Sequence, residues 1–528
     1  MKRAYFWGLL LLPFWIGCSG GGPTKIDDPG SAAATEPKGK QLMTQYCGSC
    51  HTVPSPSDLD QKTWKNHILV RMSAYMGIYN DNQRYYDSVP EKWLEPGVGG
   101  QRVRAAGIYP SKPVMSRPDW EALRDYILSN APTITTGAPG MLPIEKKLEL
   151  FKARPWQPDR TLQPLVTAVA IDSAHSKVYA AFFQQSLLEM NPAGKILDRV
   201  DGLYGPIYLK PAANGFSMAE IGSMKGSDHP KGSVWRANGF GQIKSKKPAV
   251  RFDSLMRPVM IQWADLDQDG DEDAALAEFG YHMGEMSWQE NEGGKFIRHT
   301  LYPDDGTVSI HVGDFTGDGL PDILSLKANA DERVDLYTNK DKGQFEAKML
   351  FRFNPSYGCT AMEVVDWDKD GRLDFLVANG DNGDYPPILK AHHGIRLYLN
   401  KGNAEFEMAH YFPFNGAYGL RVGDFDLDGD PDLAAVSFYP DYKGRPEEAF
   451  IYFENQGNFQ FRALTFPEVG LGRWMVMDAG DMDGDGDEDI VLGAFDVKSD
   501  DCSEATYDQW IKDDVPVLVL ENLTKSGK

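Results

Sequence analysis

Two cysteines three positions apart, Cys47 and Cys50, are followed directly by His51. This is the spacing of c-type haem attachment, in which the two thiols form thioethers to the porphyrin and the imidazole binds the iron. One haem is expected. A zinc site would need two further ligands close by, and the next cysteine along the chain is Cys359. A disulfide between the pair is what an oxidising compartment offers instead. Candidates for the sixth iron ligand are Met72, Met76, Met115 and His67. A Met/His pair raises the reduction potential and suits electron transfer rather than oxygen binding. Methionine at helical spacing also serves as plain core packing.

A second chemistry recurs five times. The stretches are DLDQDGDED from Asp265, DFTGDGLPD from Asp314, DWDKDGRLD from Asp366, DFDLDGDPD from Asp424 and DMDGDGDED from Asp481. Position 6 is always glycine. Oxygen side chains at alternate positions around a glycine turn can wrap a hard cation such as calcium. The expected ligands at positions 1, 3, 5 and 9 are, loop by loop, as follows: Asp265, Asp267, Asp269 and Asp273; Asp314, Thr316, Asp318 and Asp322; Asp366, Asp368, Asp370 and Asp374; Asp424, Asp426, Asp428 and Asp432; Asp481, Asp483, Asp485 and Asp489. Position 7 holds Asp271, Leu320, Arg372, Asp430 and Asp487. That variety fits a position contributing only its backbone carbonyl. An EF-hand would need a bidentate Glu at position 12, but Leu276, Ser325, Val377, Ala435 and Leu492 stand there. Up to five calcium ions are expected, with the Thr316 loop the weakest. Without metal, the same loops read as Asx turns that cap strands.

The elements that position these loops repeat with them. Intervals between first aspartates are 49, 52, 58 and 57 residues. Periods of that size, with several short β-rich runs per unit, indicate propeller blades. Two weaker units precede the first loop, so seven blades are expected over residues 161–528. The C-terminal VPVLVLENL is expected to supply the last strand and help close the ring. Three residues before each first Asp stand Gln262, His311, Glu363, Arg421 and Asp478, flanked mostly by apolar residues. Alternation turns all five to one face, which in an innermost strand lines the central channel. Arg257 and Arg473, eight before the Asp, are expected near the channel mouth. The channel reads either as a substrate or partner pocket or as a set of internal salt bridges. No nucleophile elbow, zinc-protease signature or dinucleotide-binding glycine motif is visible, and no catalytic residue is assigned. Cys359 and Cys502 are unassigned.

Ahead of the repeats, residues 38–132 carry helical signals. In QKTWKNHILVRMSAYM, Trp64, Ile68, Arg71, Met72 and Tyr75 share a helical face. Ser116 is placed to cap a helix bearing Trp120, Leu123, Tyr126 and Ile127 on its apolar side. Residues 133–160 read as a linker with one short helix over IEKKLELF. Residues 19–37, rich in Gly, Pro, Ser and Ala, read as a flexible tether. At 528 residues the chain is too long for one core. Its formal charge of -22 disfavours nucleic acid and anionic lipid headgroups as partners. The first residues, MKRAYFWGLLLLPFWIGCSGGG, combine a basic start with an apolar run too short to span a bilayer.

Three resemblances extend this reading. Residues 1–18, ending in Gly17-Cys18, resemble a bacterial lipoprotein signal, although Trp15 stands where an aliphatic residue is usual. That implies lipidation of Cys18, export as a periplasmic or cell-surface lipoprotein, and membrane attachment through the lipid alone, with the outer membrane of a Gram-negative cell the expected one. Residues 38–132 resemble mono-haem cytochrome c domains. The stretch WKNHILVRM resembles the segment that follows the haem motif in cytochrome modules attached to propellers, which implies Met72 as the axial ligand ahead of Met115. The loops resemble the FG-GAP/VCBS repeats of integrin-α-like propellers, strongly over 265–525 and weakly over 161–264, which implies structural calcium. The fold class expected is therefore a small all-α cytochrome domain followed by an all-β propeller. The function implied is electron transfer to or from a redox partner protein. Alternatives are a dehydrogenase acting in the channel and passing electrons to the haem, or a surface protein that binds glycans or another small ligand.

Overall fold

Short apolar strands buried on both faces dominate the chain from residue 144 onward. The run Asp322–Lys327 (DILSLK), for example, is buried at every position, and Asp374–Asn379 and Asp489–Ala494 are the same. Strands sandwiched in this way belong to stacked sheets. In this computed structural model, which describes residues 36–79, 94–212, 215–329, 331–383 and 385–525, they form seven sheets. Lys38–Lys528 is one compact unit. Cys18 and the segment expected to direct export lie outside the described residues.

The first five sheets are antiparallel meanders of four strands taken in chain order between an inner and an outer edge. Val166–Asp201 forms the first, Pro206–Leu255 the second, Pro258–Tyr302 the third, Thr307–Arg352 the fourth and Cys359–Pro413 the fifth. Neighbouring inner strands contact one another from sheet to sheet, and the last, Trp474–Gly480, meets the first, Val166–Asp172. The protein is a seven-bladed β-propeller. Outer strands such as Phe345–Arg352 alternate or face solvent.

Ring closure departs from the sequence expectation. Val517–Asn522 is the third strand of the seventh blade, as a C-terminal strand, but the fourth comes from the other end of the propeller. Phe151–Trp156 pairs antiparallel with it, Phe151 opposite Asn522 and Trp156 opposite Val517. Just before it, Ile144–Glu145 adds in parallel to Phe461–Leu464 of the sixth blade. The segment expected as a linker with a short helix over IEKKLELF is therefore β-structure sealing two blades, and the propeller draws on residues ahead of 161. An unpaired sheet edge supplies more backbone hydrogen bonds than an isolated helical turn, so the tertiary context overrides local propensity.

The helical segment builds its own core. Lys38–Cys47 crosses Arg117–Asn130 closely, because a Cβ on Gly39 would lie 2.2 Å from the Tyr126 Cβ and 2.5 Å from the Ala122 carbonyl oxygen. Ser116 caps the second of these helices, its Oγ accepting from the Asp119 N–H at 3.3 Å. Between them, Trp64–Ile68 is wound wider than an α-helix, with Leu69 N–H bonded to the Trp64 carbonyl. This extra residue shifts the phase of the expected face, so that Trp64, Leu69 and Ala74 are the buried positions. No helix among the described residues is long and apolar enough to cross a membrane.

Candidate functional site

Each Asp loop joins the first and second strands of a blade. The position 1 carboxylate folds the loop over itself: Asp265 accepts the N–H of Asp269 and of Gly270, both at 3.1 Å, and Asp366 those of Asp370 and Gly371, both at 3.0 Å. Position 5 accepts from the N–H of position 7, as Asp269 does from Asp271 at 2.8 Å. Gly270, Gly319, Gly371, Gly429 and Gly486 have φ between +84° and +101°, the left-handed side that disfavours a side chain.

Four loops gather carboxylate oxygens from three residues within 4.8 Å of one another: Asp265, Asp267 and Asp269; Asp366, Asp368 and Asp374; Asp424, Asp426 and Asp428; Asp481, Asp483 and Asp489. Burial, then neighbouring carboxylates, push Asp267, Asp426 and Asp483 above the usual range. Crowded oxygens of one sign, with no cationic side chain among the three, fit a divalent cation. The fifth loop is the one with Thr316. Its Asp314 already accepts from Gly317 at 2.6 Å, Asp318 at 3.2 Å and Gly319 at 2.8 Å. In the Asp366 loop, the Arg372 guanidinium pairs with Asp370, which takes that carboxylate out of the cluster.

Position 9 does something the sequence did not reveal. Asp273, Asp322, Asp374, Asp432 and Asp489 are almost fully buried, and each accepts the backbone N–H of an asparagine at the end of the third strand or one residue before it. These are Asn291 at 2.7 Å, Asn339 at 2.9 Å, Asn400 at 2.7 Å, Asn455 at 2.8 Å and Asn522 at 2.8 Å. Three of these asparagines also reach the preceding blade. Asn339 Nδ2 donates to the Leu266 carbonyl at 2.7 Å, Asn400 to Phe315 at 3.0 Å and Asn522 to Phe425 at 2.8 Å. The loop thus locks its hairpin to the third strand, and the asparagine stitches blade to blade. Fixed spacing could not find these residues, because the second-to-third strand connection varies in length.

The five polar residues before the loops do line up, each four residues into an inner strand, with Lys210 and Ala170 at the equivalent register in the first two blades. Arg421 pairs with Asp478 at 2.9 Å and Glu363 at 3.3 Å. Asp478 also accepts the Ile171 N–H at 2.9 Å, tying the last blade to the first. His311 Nε2 lies 3.0 Å from the Met362 carbonyl, so that nitrogen carries the proton. Burial pushes His311 down to about 4, keeping it neutral. The salt-bridge reading of the channel is the one these contacts describe. Arg257 and Arg473 are not mouth residues with open guanidinium groups. Arg257 donates to the Ser223 and Gly280 carbonyls, and Arg473, fully buried, donates to Asp501 and the Phe438 carbonyl.

Cys47 ends its helix, and the N–H groups of Cys50 and His51 both turn back to its carbonyl at 3.4 Å. Cys47, Cys50, Cys359 and Cys502 are all free thiols, and Cys50 is exposed. Burial pushes the Cys47 thiol up to about 11. His51 Nδ1 is 2.8 Å from the Thr52 carbonyl. A carbonyl only accepts, so Nδ1 holds the proton and Nε2 presents its lone pair, the tautomer an iron ligand needs. Met115 is buried in the helical core, and Met72, Met76 and Cys47 pack against the same cluster. The propeller reaches this segment: Arg352 donates to the Cys50 carbonyl at 2.7 Å, Asn354 to Asp58 at 2.7 Å, and Tyr385 and Ile388 of the fifth blade pack on the cluster.

Residues 265–325 and 314–377 match the FG-GAP-like repeat. The fold and loops therefore define a seven-bladed propeller carrying FG-GAP-like repeats in its third to fifth blades. A search of curated proteins returned no match. Among solved structures, the chain is similar to the WD40 repeats of RRP9, with a TM-score of 0.42 and 10% identity over 74% of this chain and 100% of that one. It is also similar to the Pan2 WD40 domain of Neurospora crassa, at 0.45 and 9% over 72% and 97%. The β-propeller domain of Cps50 (Swd1) from Myceliophteria thermophila gives 0.42 and 10% over 70% and 100%. The propeller assignment rests on strand topology, not on these likenesses.

Proposed function

We propose that the protein is an exported, lipid-anchored c-type cytochrome that transfers electrons, with a calcium-stabilised propeller that engages a redox partner or ligand. The observation that carries the reading is the state of the Cys-x-x-Cys-His segment. Two free thiols precede a histidine whose Nε2 is left for a metal by the hydrogen bond at Nδ1. In this reading Cys47 and Cys50 anchor haem c and His51 ligates its iron. Met72 takes the sixth position, with Met115 as its competitor. Haem bound there supplies a one-electron couple. Leu42, Met43, Trp64 and Trp120 belong to the buried cluster on which Cys47 packs, and a low-dielectric surround of that kind would favour the less charged, reduced iron and so raise the potential. Calcium belongs to the Asp loops, where its role is to hold hairpins and not to perform chemistry. Lipidated Cys18 and the tether over 19–37 keep the molecule at the outer membrane.

The test is expression in a host with a c-haem maturation system. The purified chain should carry haem that survives denaturation, and Cys47→Ser with Cys50→Ser should lose it. Of Met72→Ala and Met115→Ala, the one that removes the sulfur-to-iron charge-transfer band identifies the axial ligand. Haem absent from the wild-type chain would end the reading.

A further inference from the structure

The loop that carries the Cys-x-x-Cys-His motif has few bonds of its own. The N–H groups of Cys50 and His51 turn back to the Cys47 carbonyl at a long 3.4 Å. The Cys50 carbonyl is held from outside, by Arg352 Nη2 at 2.7 Å. Two residues on, Asn354 Nδ2 donates to Asp58 Oδ2, also at 2.7 Å, so the connection between the fourth and fifth blades grips this segment twice. Arg352 ends the outer strand Phe345–Arg352 of the fourth blade. The outer strands of the third and fifth blades end in uncharged Tyr302 and Pro413. Nor is Arg352 a loose side chain. Its Nε pairs with Asp331 at 2.7 Å, Asp331 with Arg333 at 2.8 Å, Arg333 with Asp335 at 3.0 Å, and Asp335 with Lys327, which is 1% exposed. A row of alternating charges thus runs from the core of the fourth blade to the backbone of the motif, and its last member is a cation.

A guanidinium stays charged in a protein and donates in several directions, so it can hold a carboxylate and a carbonyl at once. The Arg352 and Asp331 side chains are 33% and 25% exposed, so salt and water screen them only in part. Cys50 bears the carbonyl that Arg352 holds. In the electron-transfer reading, on which this inference rests, it also bears a sulfur that fastens the porphyrin. Gaining an electron makes an iron centre less positive, and a fixed cation nearby favours that state. We propose that Arg352 is a positioning residue for the redox centre: from the propeller it fixes the backbone of Cys50, and its charge raises the reduction potential of the iron bound there. The fourth blade then sets the electron affinity of a centre built on the helical segment, with Asp331 opposing the cation.

The experiment uses the full chain, matured with haem, and reads the midpoint potential by redox titration. Arg352→Gln should lower the equilibrium constant for reduction about threefold, which is about 28 mV at about 59 mV per tenfold. Asp331→Asn removes the opposing carboxylate and should raise the same constant by about the same factor. Opposite signs separate charge from packing, because mere loosening of the segment moves both variants the same way. Amide hydrogen exchange over residues 48–53 reads the positioning itself, and should quicken about threefold or more in Arg352→Gln. An unmoved potential in Arg352→Gln, shifts of one sign in both variants, or unchanged exchange would overturn the proposal and leave the haem reading intact. A wild-type chain without haem would end both.

Discussion

The first blade and the third close the same hairpin by different means. In the first, four residues connect Val166–Asp172 to Lys177–Phe182. Asp172 accepts the His175 backbone N–H at 3.2 Å, and its carboxylate lies 2.9 Å from His175 Nδ1. Lys177, at the register where the third blade has Asp273, pairs with Glu189 on the next strand at 3.0 Å. Charge is balanced within the chain. In the third blade, residues 265–272 connect the strands, and Asp265, Asp267 and Asp269 crowd together with no cationic partner among them. A hairpin closed by its own hydrogen bonds, with a Lys–Glu pair beside them, needs nothing from outside, whereas one closed by like charges needs a cation. Metal dependence should therefore belong to blades three, five, six and seven and spare the first.

The largest expected effect follows from removing that cation. With four loops each loaded at a hundredfold over Kd, every site holds about 2.7 kcal/mol. Chelation should then lower the melting temperature on the order of 10 °C, read by calorimetry with and without calcium. An unchanged melt would erase the contrast between blades. Next come single loops. Asp366→Ala should cut the calcium-dependent stabilisation by about 2–3 kcal/mol, and Asp314→Ala by less than about 0.5 kcal/mol, since that aspartate already holds three backbone donors. Equal losses would show the Thr316 loop to be an ordinary site. Asn400→Ala removes the stitch to Phe315 and leaves a buried carbonyl unpaired, at about 1–3 kcal/mol whether or not calcium is present. Dependence on calcium would mean that blade stitching and metal are one device. The channel sharpens the comparison without metal. His311 is held near 4, below its unfolded value, so the native state binds fewer protons in between. Stability should fall as pH drops from about 6.5 to about 4 and be unaffected at pH 7. His311→Gln should flatten that slope in chemical denaturation series.

What the sequence disclosed follows the same division. A loop that must place oxygens around one point has a fixed spacing, so the nonapeptides, their turn glycines and the blade count of seven were all legible. The register of Gln262, His311, Glu363, Arg421 and Asp478 was legible because inner strands keep a constant length from bulge to loop. Partners that meet through connections of variable length were not. Asn339 and Asn400 reach Leu266 and Phe315 across 73 and 85 residues, and Asp228 finds His282 across 54. IEKKLELF carries a local helical pattern, and only the open edges of the sixth and seventh blades explain why its first residues, Ile144–Glu145, and the stretch that starts at its last, Phe151–Trp156, are strands. Arg473 kept its charge in the sequence, but its burial beneath Phe438 and its pairing with Asp501 arise only in the folded chain.

One absorbance measurement bears most directly on the central claim that Cys47, Cys50 and His51 hold a redox-active iron. The chain, matured in a cytochrome-competent host, is reduced, scanned, reoxidised, scanned again and then run under denaturing conditions. The expected result is a reversible haem c difference spectrum whose colour stays with the unfolded polypeptide. A chain that comes through maturation folded, calcium-bound and colourless would contradict it.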